Sequence, residues 1–272
     1  MKEEGKPVSL KKLCKWFGIS RSSFYYKPKP RERRAVDAAL EQKIWEVIGR
    51  QPSWGLRFIT AVIRREYGIH NIKKIHRIIK QNGWQIAKKV KGHRPRIGAW
   101  CARAMESNVR WAIDTTHIFC GKHGWGHLTA IIDCCDRAII GWRLSLSGSA
   151  KIAAAVLEDA LRARGFVRGE AASLLLRSDN GLVFGAKEFT RVARSHGVRQ
   201  EYITPYTPEQ NGIIERFFRT LKEECVWGYN FRDSDEAFTK IAEWIDRYHE
   251  YRPHSALGYL TPNEFRVKKL SA

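Results

Sequence analysis

The sequence predicts an α/β core built on a mixed five-stranded sheet, preceded by small all-α regions. Two features of the chain support this fold class. Through residues 1–106, apolar residues recur with the three- and four-residue spacing of helices, among many Lys and Arg. After residue 107, short apolar runs typical of strands are separated by turns and then alternate with helical segments. With 272 residues, the chain can form one mid-sized domain and one or two small ones.

The basic residues are concentrated in the first part of the chain. The formal net charge is +21. Residues 1–106 contain 26 Lys and Arg against 8 Asp and Glu, whereas the rest of the chain contains 23 against 20. Such an excess is typical of nucleic-acid-binding proteins, although a generally basic surface is the alternative. We expect residues 1–106 to bind DNA and the nearly balanced remainder to serve another purpose.

Residues 1–30 are predicted to form a helix-turn-helix-like segment. In the run SLKKLCKWFGISRSSFYY, apolar positions indicate two short helices. Gly18 suits the left-handed residue after the first helix, and Ser20 suits the cap of the second. A plain helical hairpin fits the same pattern. In the helix-turn-helix interpretation, the second helix enters the major groove of DNA. The predicted DNA contacts at its start are Arg21, Ser22 and Ser23.

Residues 36–96 are predicted to form a basic helical DNA-binding domain, and residues 97–106 a linker. The run IHNIKKIHRIIKQNGW, which starts at Ile69, has an apolar stripe on one face and basic residues on the others. These basic faces either contact DNA, which the charge distribution favours, or are simply solvated. The predicted DNA contacts of this domain are Lys73, Lys74 and Arg77.

Residues 107–226 are predicted to form the α/β core, followed by a C-terminal helix and a core-docking tail at 227–272. The predicted strands are Val109–Asp114, Leu128–Cys135, Ala138–Leu146, Leu174–Leu176 and Val198–Ile203. The predicted helices are Ser149–Arg164, Phe189–His196 and, as the last two, Gln210–Cys225 and Ser234–Tyr251. Three antiparallel strands followed by helix, strand, helix and strand is the order of an RNase H-like fold.

Three carboxylates stand at informative places in this core. Asp114 lies inside the first strand, Asp179 directly after the fourth, and Glu215 early in a helix. In the predicted sheet the first and fourth strands are neighbours, so the three acids can converge. An Asp inside a strand is costly unless it is paired or bound to metal. We predict that the three acids are catalytic and bind Mg²⁺ or Mn²⁺, as two ions per site, which stabilise the attacking and leaving oxygens of a phosphodiester.

The helix that carries Glu215 has an apolar arc and a polar arc. At about 100° per residue, Asn211, Glu215, Arg219 and Lys222 share the polar arc. We predict that Arg219 and Lys222 contact DNA there, and that Asn180 and Asn211 support the site by orienting a ligand or phosphate. The alternative is a surface helix with a Glu–Arg pair four residues apart.

The spacing and the surrounding residues carry a family resemblance. Thirty-five residues separate Asp179 from Glu215, and Lys222 follows seven residues after Glu215. This pattern resembles the DD(35)E motif of retroviral integrases and their bacterial transposase relatives. The runs that resemble the OrfB transposases of insertion sequences are SDNG at 178–181, TPEQNGIIERFFRTLKEE at 207–224 and YRPHSALGYLTPNEF at 251–265.

The resemblance implies a divalent-metal enzyme that cleaves DNA at terminal inverted repeats and joins a 3′-hydroxyl to target DNA. It also implies a homo-oligomer on DNA and an OrfA partner joined by frameshift fusion. No HHCC zinc module precedes the core, so we expect end recognition through helices and no zinc. Two other classes remain alternatives: a DNA-binding repressor without catalysis, and a structure-specific nuclease of the same fold.

The remaining residues suggest structural roles. The six cysteines contain no CxxC pair and are expected to be reduced thiols. Neither a membrane span nor a signal peptide is recognisable, and we expect a cytoplasmic bacterial protein that joins the nucleoid when bound to DNA. Asp133 and Asp136 are interpreted as structural turn acids, His117 and His123 as loop residues, and Arg252–Leu257 as a segment that docks on the core.

Overall fold

The computed structural model describes residues 8–28, 35–68, 71–87, 104–204 and 207–271. By its contacts, the chain divides into two units, Met1–Ala38 and Ala39–Ala272. The predicted linker at 97–106 lies largely outside the described residues. Among the described residues, no helix is both long and apolar enough to cross a membrane.

The first unit contains the two short helices that the sequence predicts. Helix α1 spans Leu10–Trp16 and α2 spans Arg21–Tyr25. Gly18 between them has a φ of +62°, a conformation that glycine adopts without strain. The backbone N–H of Ser23 donates to the Ser20 side chain over 3.0 Å, so Ser20 caps α2 as expected.

Three helices begin the second unit. They are α3 (Ala38–Arg50), α4 (Leu56–Tyr67) and α5 (Ile72–Gln81). Their buried faces are aliphatic, with Ile44, Val62 and Ile78 fully enclosed. The predicted helical character of this region is therefore confirmed, with apolar burial holding three short helices that would be marginal alone.

A five-stranded sheet forms the centre of the second unit. Its strands are β1 (Arg110–Phe119), β2 (Trp125–Asp133), β3 (Ile139–Ser145), β4 (Leu175–Ser178) and β5 (Arg199–Tyr202). Their order is β3-β2-β1-β4-β5. The first three strands are antiparallel, and β4 is parallel to both β1 and β5. This is the predicted mixed sheet, and it puts β1 beside β4 in an RNase H-like arrangement.

Helices cover both faces of the sheet. They are α6 (Ala150–Ala163), α7 (Leu182–Gly185) and α8 (Lys187–His196) on one face, and α9 (Gly212–Glu224) and α10 (Ser234–Glu250) on the other. Along β1, Trp111 and Ile113 pack towards α6 and α8, whereas Ala112 and Ile118 pack towards α9 and α10. This alternation follows from the two-residue repeat of a strand.

The chain departs from the predicted elements in its last third. A further helix, α11 (Pro262–Leu270), follows the two helices that were predicted to be the last. It begins with a capping box, in which the Thr261 hydroxyl accepts from the Glu264 backbone and the Glu264 carboxylate accepts from the Thr261 backbone. The predicted helix at Gln210 instead begins at Gly212, because Pro208–Asn211 form a tighter 3₁₀ turn. His117, expected in a loop, lies within β1.

Candidate active site

Asp114 lies within β1, on the face that carries Ala112 and Ile118 and packs against α9. Its Oδ1 accepts a 2.7 Å hydrogen bond from the backbone N–H of Thr115. Burial is the main cause that raises the pKa of Asp114 to about 7.

Three other charged groups lie within electrostatic reach of Asp114. The negative charges of Asp179 and Glu215 both raise the pKa of Asp114. The positive charge of Lys222 lowers it, as does the Thr115 hydrogen bond, which is the stronger of the two. Asp179, Glu215 and Lys222 are therefore all close enough to Asp114 to influence its pKa.

Asp179 directly follows β4, beside Asp114. The parallel register pairs Ala112 with Arg177. Continued by two residues, this register brings Asp179, just beyond the end of β4, level with Asp114 on β1, and neighbouring strands are spaced by about 4.8 Å. The Asp179 Oδ1 accepts a 3.0 Å hydrogen bond from the backbone N–H of Gly181. A Cβ at Gly181 would lie 2.9 Å from that oxygen, so a side chain there would displace the Asp179 carboxylate from its present position.

Glu215 lies in the first turn of α9 and is exposed. Ile214 and Phe217 anchor this helix in the core beneath the sheet. The pKa of Glu215 is raised, first by desolvation and then by the charge of Glu209. The helix thus presents a carboxylate on the side of the sheet where Asp114 lies.

The three carboxylates do not form a closed ligand set in this structure. Among the described residues, no three His, Cys, Asp or Glu side chains are grouped so that they could hold a metal ion. Their chemistry nevertheless suits a hard divalent cation, because Mg²⁺ and Mn²⁺ prefer carboxylate oxygens. The raised pKa of Asp114 also reflects burial and neighbouring negative charge that Lys222 offsets only in part.

Comparisons with known proteins identify the family and fold of this chain. Two family models, both described as Integrase core domain, match residues 104–208 and 196–262. The Escherichia coli transposase InsD of insertion element IS2A/D/F/H/I/K is 29% identical over 247 residues, which cover 86% of this chain and 80% of that protein. InsD of insertion element IS2-9, from Escherichia coli strain K12, is also 29% identical, over 86% of this chain and 79% of that protein.

The chain belongs to the insertion-element transposases with an integrase core. It is therefore an enzyme of the polynucleotidyl transferase class. The fold agrees with a chain in the structure of a simian T-cell lymphotropic virus intasome in complex with PP2A regulatory subunit B56 gamma. That superposition has a TM-score of 0.52 at 16% identity and covers 82% of this chain and 73% of that chain.

Lys222 and Arg219 of the transposase have different surroundings. Lys222 is half-buried, and its charge acts on Asp114. Arg219 is exposed and forms a surface ion pair of 3.1 Å with Glu223, four residues on. The helix therefore does carry an Arg–Glu pair, but Glu215 is not its member. Exposed pairs of this kind contribute about 0.3–0.5 kcal/mol to stability.

The two asparagines predicted to support the site differ from each other. The Asn180 side chain donates a 2.9 Å hydrogen bond to the Ile203 carbonyl, so it fastens the chain just after β5. Asn211 was placed on the polar arc with Glu215, which is wrong. It is 3% exposed because it belongs to the 3₁₀ turn before α9, and its Oδ1 is buried without a hydrogen-bond partner among the described residues.

The residues predicted to bind DNA before the core lie on two separate elements. Arg21, Ser22 and Ser23 are exposed on α2, where the Ser20 Oγ lies 2.7 Å from the Ser22 Oγ and 2.8 Å from the Ser23 Oγ. On α5, Lys73 is exposed, whereas Lys74 and Arg77 are half-buried. The Arg77 Nε is buried without a hydrogen-bond partner among the described residues.

Arg177 is a buried residue near the site that the sequence analysis did not single out. It lies on β4, two residues before Asp179. Its Nε donates to Glu201 on β5 over 3.0 Å, and its Nη1 donates to the Gln210 carbonyl over 2.6 Å. The Gln210 side chain in turn accepts from the backbone N–H of Thr204. The signal available in the sequence was a basic residue at the end of a buried strand. Through its contacts, Arg177 ties β4 and β5 to the start of α9.

The segment from Arg252 to Leu257 docks on the core, as expected, and its neighbours also hold the α3–α5 helices. Arg252 forms a bidentate pair with Glu224 at the end of α9, with contacts of 2.9–3.1 Å. Trp54 stacks on Tyr251 at 5.6 Å between ring centres and donates to Glu224 over 3.2 Å. Arg65 donates to the Tyr251 carbonyl over 2.7 Å.

Asp133 and Asp136 are confirmed as structural turn acids. Asp133 accepts hydrogen bonds from the backbone of Asn108 and Cys135, and Asp136 forms a fully buried 2.8 Å pair with Arg164. Burial and the charge of Asp136 raise the pKa of Asp133.

The described cysteines are buried free thiols: Cys14, Cys120, Cys134, Cys135 and Cys225.

Proposed function

We propose that this transposase binds the ends of an insertion element, cleaves the DNA there and joins the freed strand to target DNA. Asp114, Asp179 and Glu215 form the catalytic site and hold two Mg²⁺ or Mn²⁺ ions. The observation that carries this proposal is the electrostatic coupling of the three carboxylates beside β1 and β4. Membership of the insertion-element transposases supports the reaction class.

The reaction is two phosphoryl transfers. In cleavage, the oxygen of water bonds to phosphorus while the bond to the departing strand breaks, which leaves a 3′-hydroxyl and a 5′-phosphate. In strand transfer, that 3′-hydroxyl attacks a phosphodiester of the target, and the target strand leaves. When bound, the divalent ions supply charge stabilisation at the attacking and leaving oxygens.

The residues of the chain position this chemistry. Backbone donors at Thr115 and Gly181 each hold one oxygen of Asp114 and Asp179, which leaves the second oxygen of each carboxylate to face a ligand. Arg177 fixes the start of α9 against β4, so Glu215 keeps its place relative to Asp179. Lys222 supplies a positive charge on the same side as the acids, suited to a DNA phosphate.

DNA is the proposed partner of the whole chain. Residues 1–106, with 26 basic residues against 8 acidic ones, provide sequence-independent attraction to the terminal repeats, and α2 and α5 present candidate contacts. Joining two element ends requires two active sites, so the working form is a homo-oligomer on DNA. The resemblance to OrfB transposases extends the proposal to a fusion with an upstream OrfA partner.

The test uses the full chain with linear DNA that carries the terminal repeats and their flanks. We expect strand nicks at the repeat ends and joined products with Mg²⁺ or Mn²⁺, and neither product with a chelator. A dideoxy 3′-end on pre-cleaved DNA should abolish joining alone. DNA binding without any cleavage would identify a repressor, and cleavage without joining would identify a nuclease; either result contradicts the proposal.

A further inference from the structure

A cavity of about 260 Å³ lies beside α9, apart from the three carboxylates. It is bounded by the β2–β3 turn, the first two turns of α9 and the segment after α10. None of the residues that line it is acidic, and Asp114, Asp179 and Glu215 are not among them. Its polar lining includes Arg137, Arg216, Arg252, His254 and Ser255.

Three guanidinium groups meet at this cavity, and two of them have no anionic partner. Arg252 is neutralised by its bidentate pair with Glu224. Arg137 and Arg216 form no ion pair with any residue that the structure describes. Two uncompensated positive charges around one concave surface attract an anion.

Two polar atoms of the cavity lining are buried and unsatisfied. The Arg137 Nε and the His254 Nε2 are shielded from solvent and have no hydrogen-bond partner among the described residues. Burial, followed by the charges of Arg252 and Arg137, holds the pKa of His254 well below its usual value, so the imidazole is neutral. Leaving such groups unpaired is costly, and an incoming hydrogen-bonding ligand relieves that cost.

The shape of the cavity suits a charged group that enters from one side. Its floor is formed by Ile132, Phe217 and Tyr248, which are buried. Its rim contains Arg216 and Ser255, which are exposed and accessible to a large partner. A low-dielectric floor under an arginine rim strengthens the attraction for an oxyanion, and guanidinium forks match phosphate geometry.

We propose that this cavity binds one phosphate group of the DNA backbone, through Arg137, Arg216 and His254. The inference rests on the proposed function, because that function makes DNA the available polyanion. On a helical wheel, Ile213, Arg216, Phe217 and Thr220 face the cavity, whereas Glu215 lies on another side of α9. A phosphate held here would therefore fix the DNA against the helix that carries Glu215 without occupying the catalytic position.

The experiment measures binding of the full chain to terminal-repeat DNA in which single phosphodiesters are replaced by neutral methylphosphonates. With the unaltered chain, we expect at least one position where the replacement weakens binding roughly tenfold, as loss of a charged hydrogen bond would. In Arg216→Gln and Arg137→Gln, the penalty at that position should disappear. Both variants should also lower the slope of binding against salt by about one unit.

The matched control is Arg162→Gln, which makes the same change at an exposed arginine on α6. It should leave the pattern of methylphosphonate penalties unchanged. If Arg216→Gln and Arg137→Gln also leave every penalty unchanged, the assignment to a DNA phosphate is overturned. It is likewise overturned if inorganic phosphate raises the melting temperature of the chain through these arginines while no methylphosphonate position depends on them.

Failure of this inference is distinguishable from failure of the proposed function. If the arginine variants retain every penalty while Asp179→Asn abolishes cleavage, the cavity assignment falls and the catalytic assignment stands. If Asp179→Asn cleaves normally, the catalytic assignment falls, whatever the methylphosphonate pattern shows.

Discussion

At Asp114, burial and neighbouring negative charge make the charged carboxylate costly inside a strand, and the Thr115 N–H and Lys222 offset that cost only in part. The nearby cation is Lys222, which lies two helical turns after Glu215 and acts on Asp114 electrostatically. A lysine in this place has two possible partners, the acids of the chain or a phosphate of DNA. Substitution of Lys222 distinguishes between these two partners.

Lys222→Ala should weaken binding to all DNA sequences by a similar factor and lower the salt slope by about one unit, because a phosphate contact reads no bases. Lys222→Arg should retain most cleavage, since a point charge suffices. The measurements are salt-dependent binding, cleavage and melting temperature on the same variants. Unchanged cleavage and salt slope with a slightly lower melting temperature would assign Lys222 a structural role only.

Between elements, Arg177 connects β4, β5 and the start of α9. Arg177→Gln should lower the free energy of unfolding by about 1.5–3 kcal/mol, the range for hydrogen bonds to charged groups. Cleavage should fall more than DNA binding does, because α9 carries Glu215. Arg110→Gln is the control, because Arg110 pairs with the same Glu201 from β1 over 3.1 Å. Equal losses of cleavage in both variants would contradict a positioning role for the Gln210 contact.

Helix α10 is joined to β3 through a buried histidine. The Ile139 backbone N–H donates to the His249 Nε2 over 2.9 Å. Burial is the main cause that lowers the pKa of His249 to about 4. The negative charges of Asp246 and Asp136 raise this pKa, whereas the positive charge of Arg164 lowers it further. In the unfolded chain the imidazole takes up a proton near its ordinary pKa of about 6.5.

The unfolded state therefore binds the extra proton between pH 6.5 and pH 4, and stability must fall as the pH drops through this window. The shift corresponds to at most about 3 kcal/mol. Urea unfolding at pH 7 and at pH 4.5 should show a larger acid loss in the unaltered chain than in His249→Gln. An equal acid loss in both chains would show that His249 contributes nothing to it.

The elements show what local sequence can and cannot predict. Apolar runs were sufficient to locate the five strands, whereas the neighbouring of β1 and β4 was expected from the RNase H-like order of the elements. Helix α11 was missed although Thr261, Pro262 and Glu264 form a recognisable start signal, because its apolar pattern is weak. Asn211 was misplaced because a helical wheel assumes a continuous helix, and the 3₁₀ turn at Pro208–Asn211 changes its direction. The Arg177 contacts join residues distant in sequence, which periodicity does not encode.

At the scale of the whole molecule, the region of the basic α3–α5 helices packs on the end of α9 and on the residues that follow α10. Trp54 contacts both Tyr251 and Glu224, and Glu224 also binds Arg252 at the phosphate cavity proposed above. Under the proposed function, DNA held by these helices would be connected through a few contacts to the helix of Glu215. The charge of the sequence is basic before residue 107 and nearly balanced after it, which supports the proposal that residues 1–106 bind DNA and the remainder carries out the reaction.

The central claim is that Asp114, Asp179 and Glu215 are the catalytic carboxylates of this transposase. The most direct measurement compares DNA cleavage and DNA binding for Asp114→Asn, Asp179→Asn and Glu215→Gln, with Glu209→Gln as a nearby control acid. We expect each of the three variants to lose cleavage by several orders of magnitude while binding stays nearly intact, because two-ion phosphoryl transfer needs every ligand. Glu209→Gln should cleave nearly normally. Near-normal cleavage by Asp179→Asn would contradict the account.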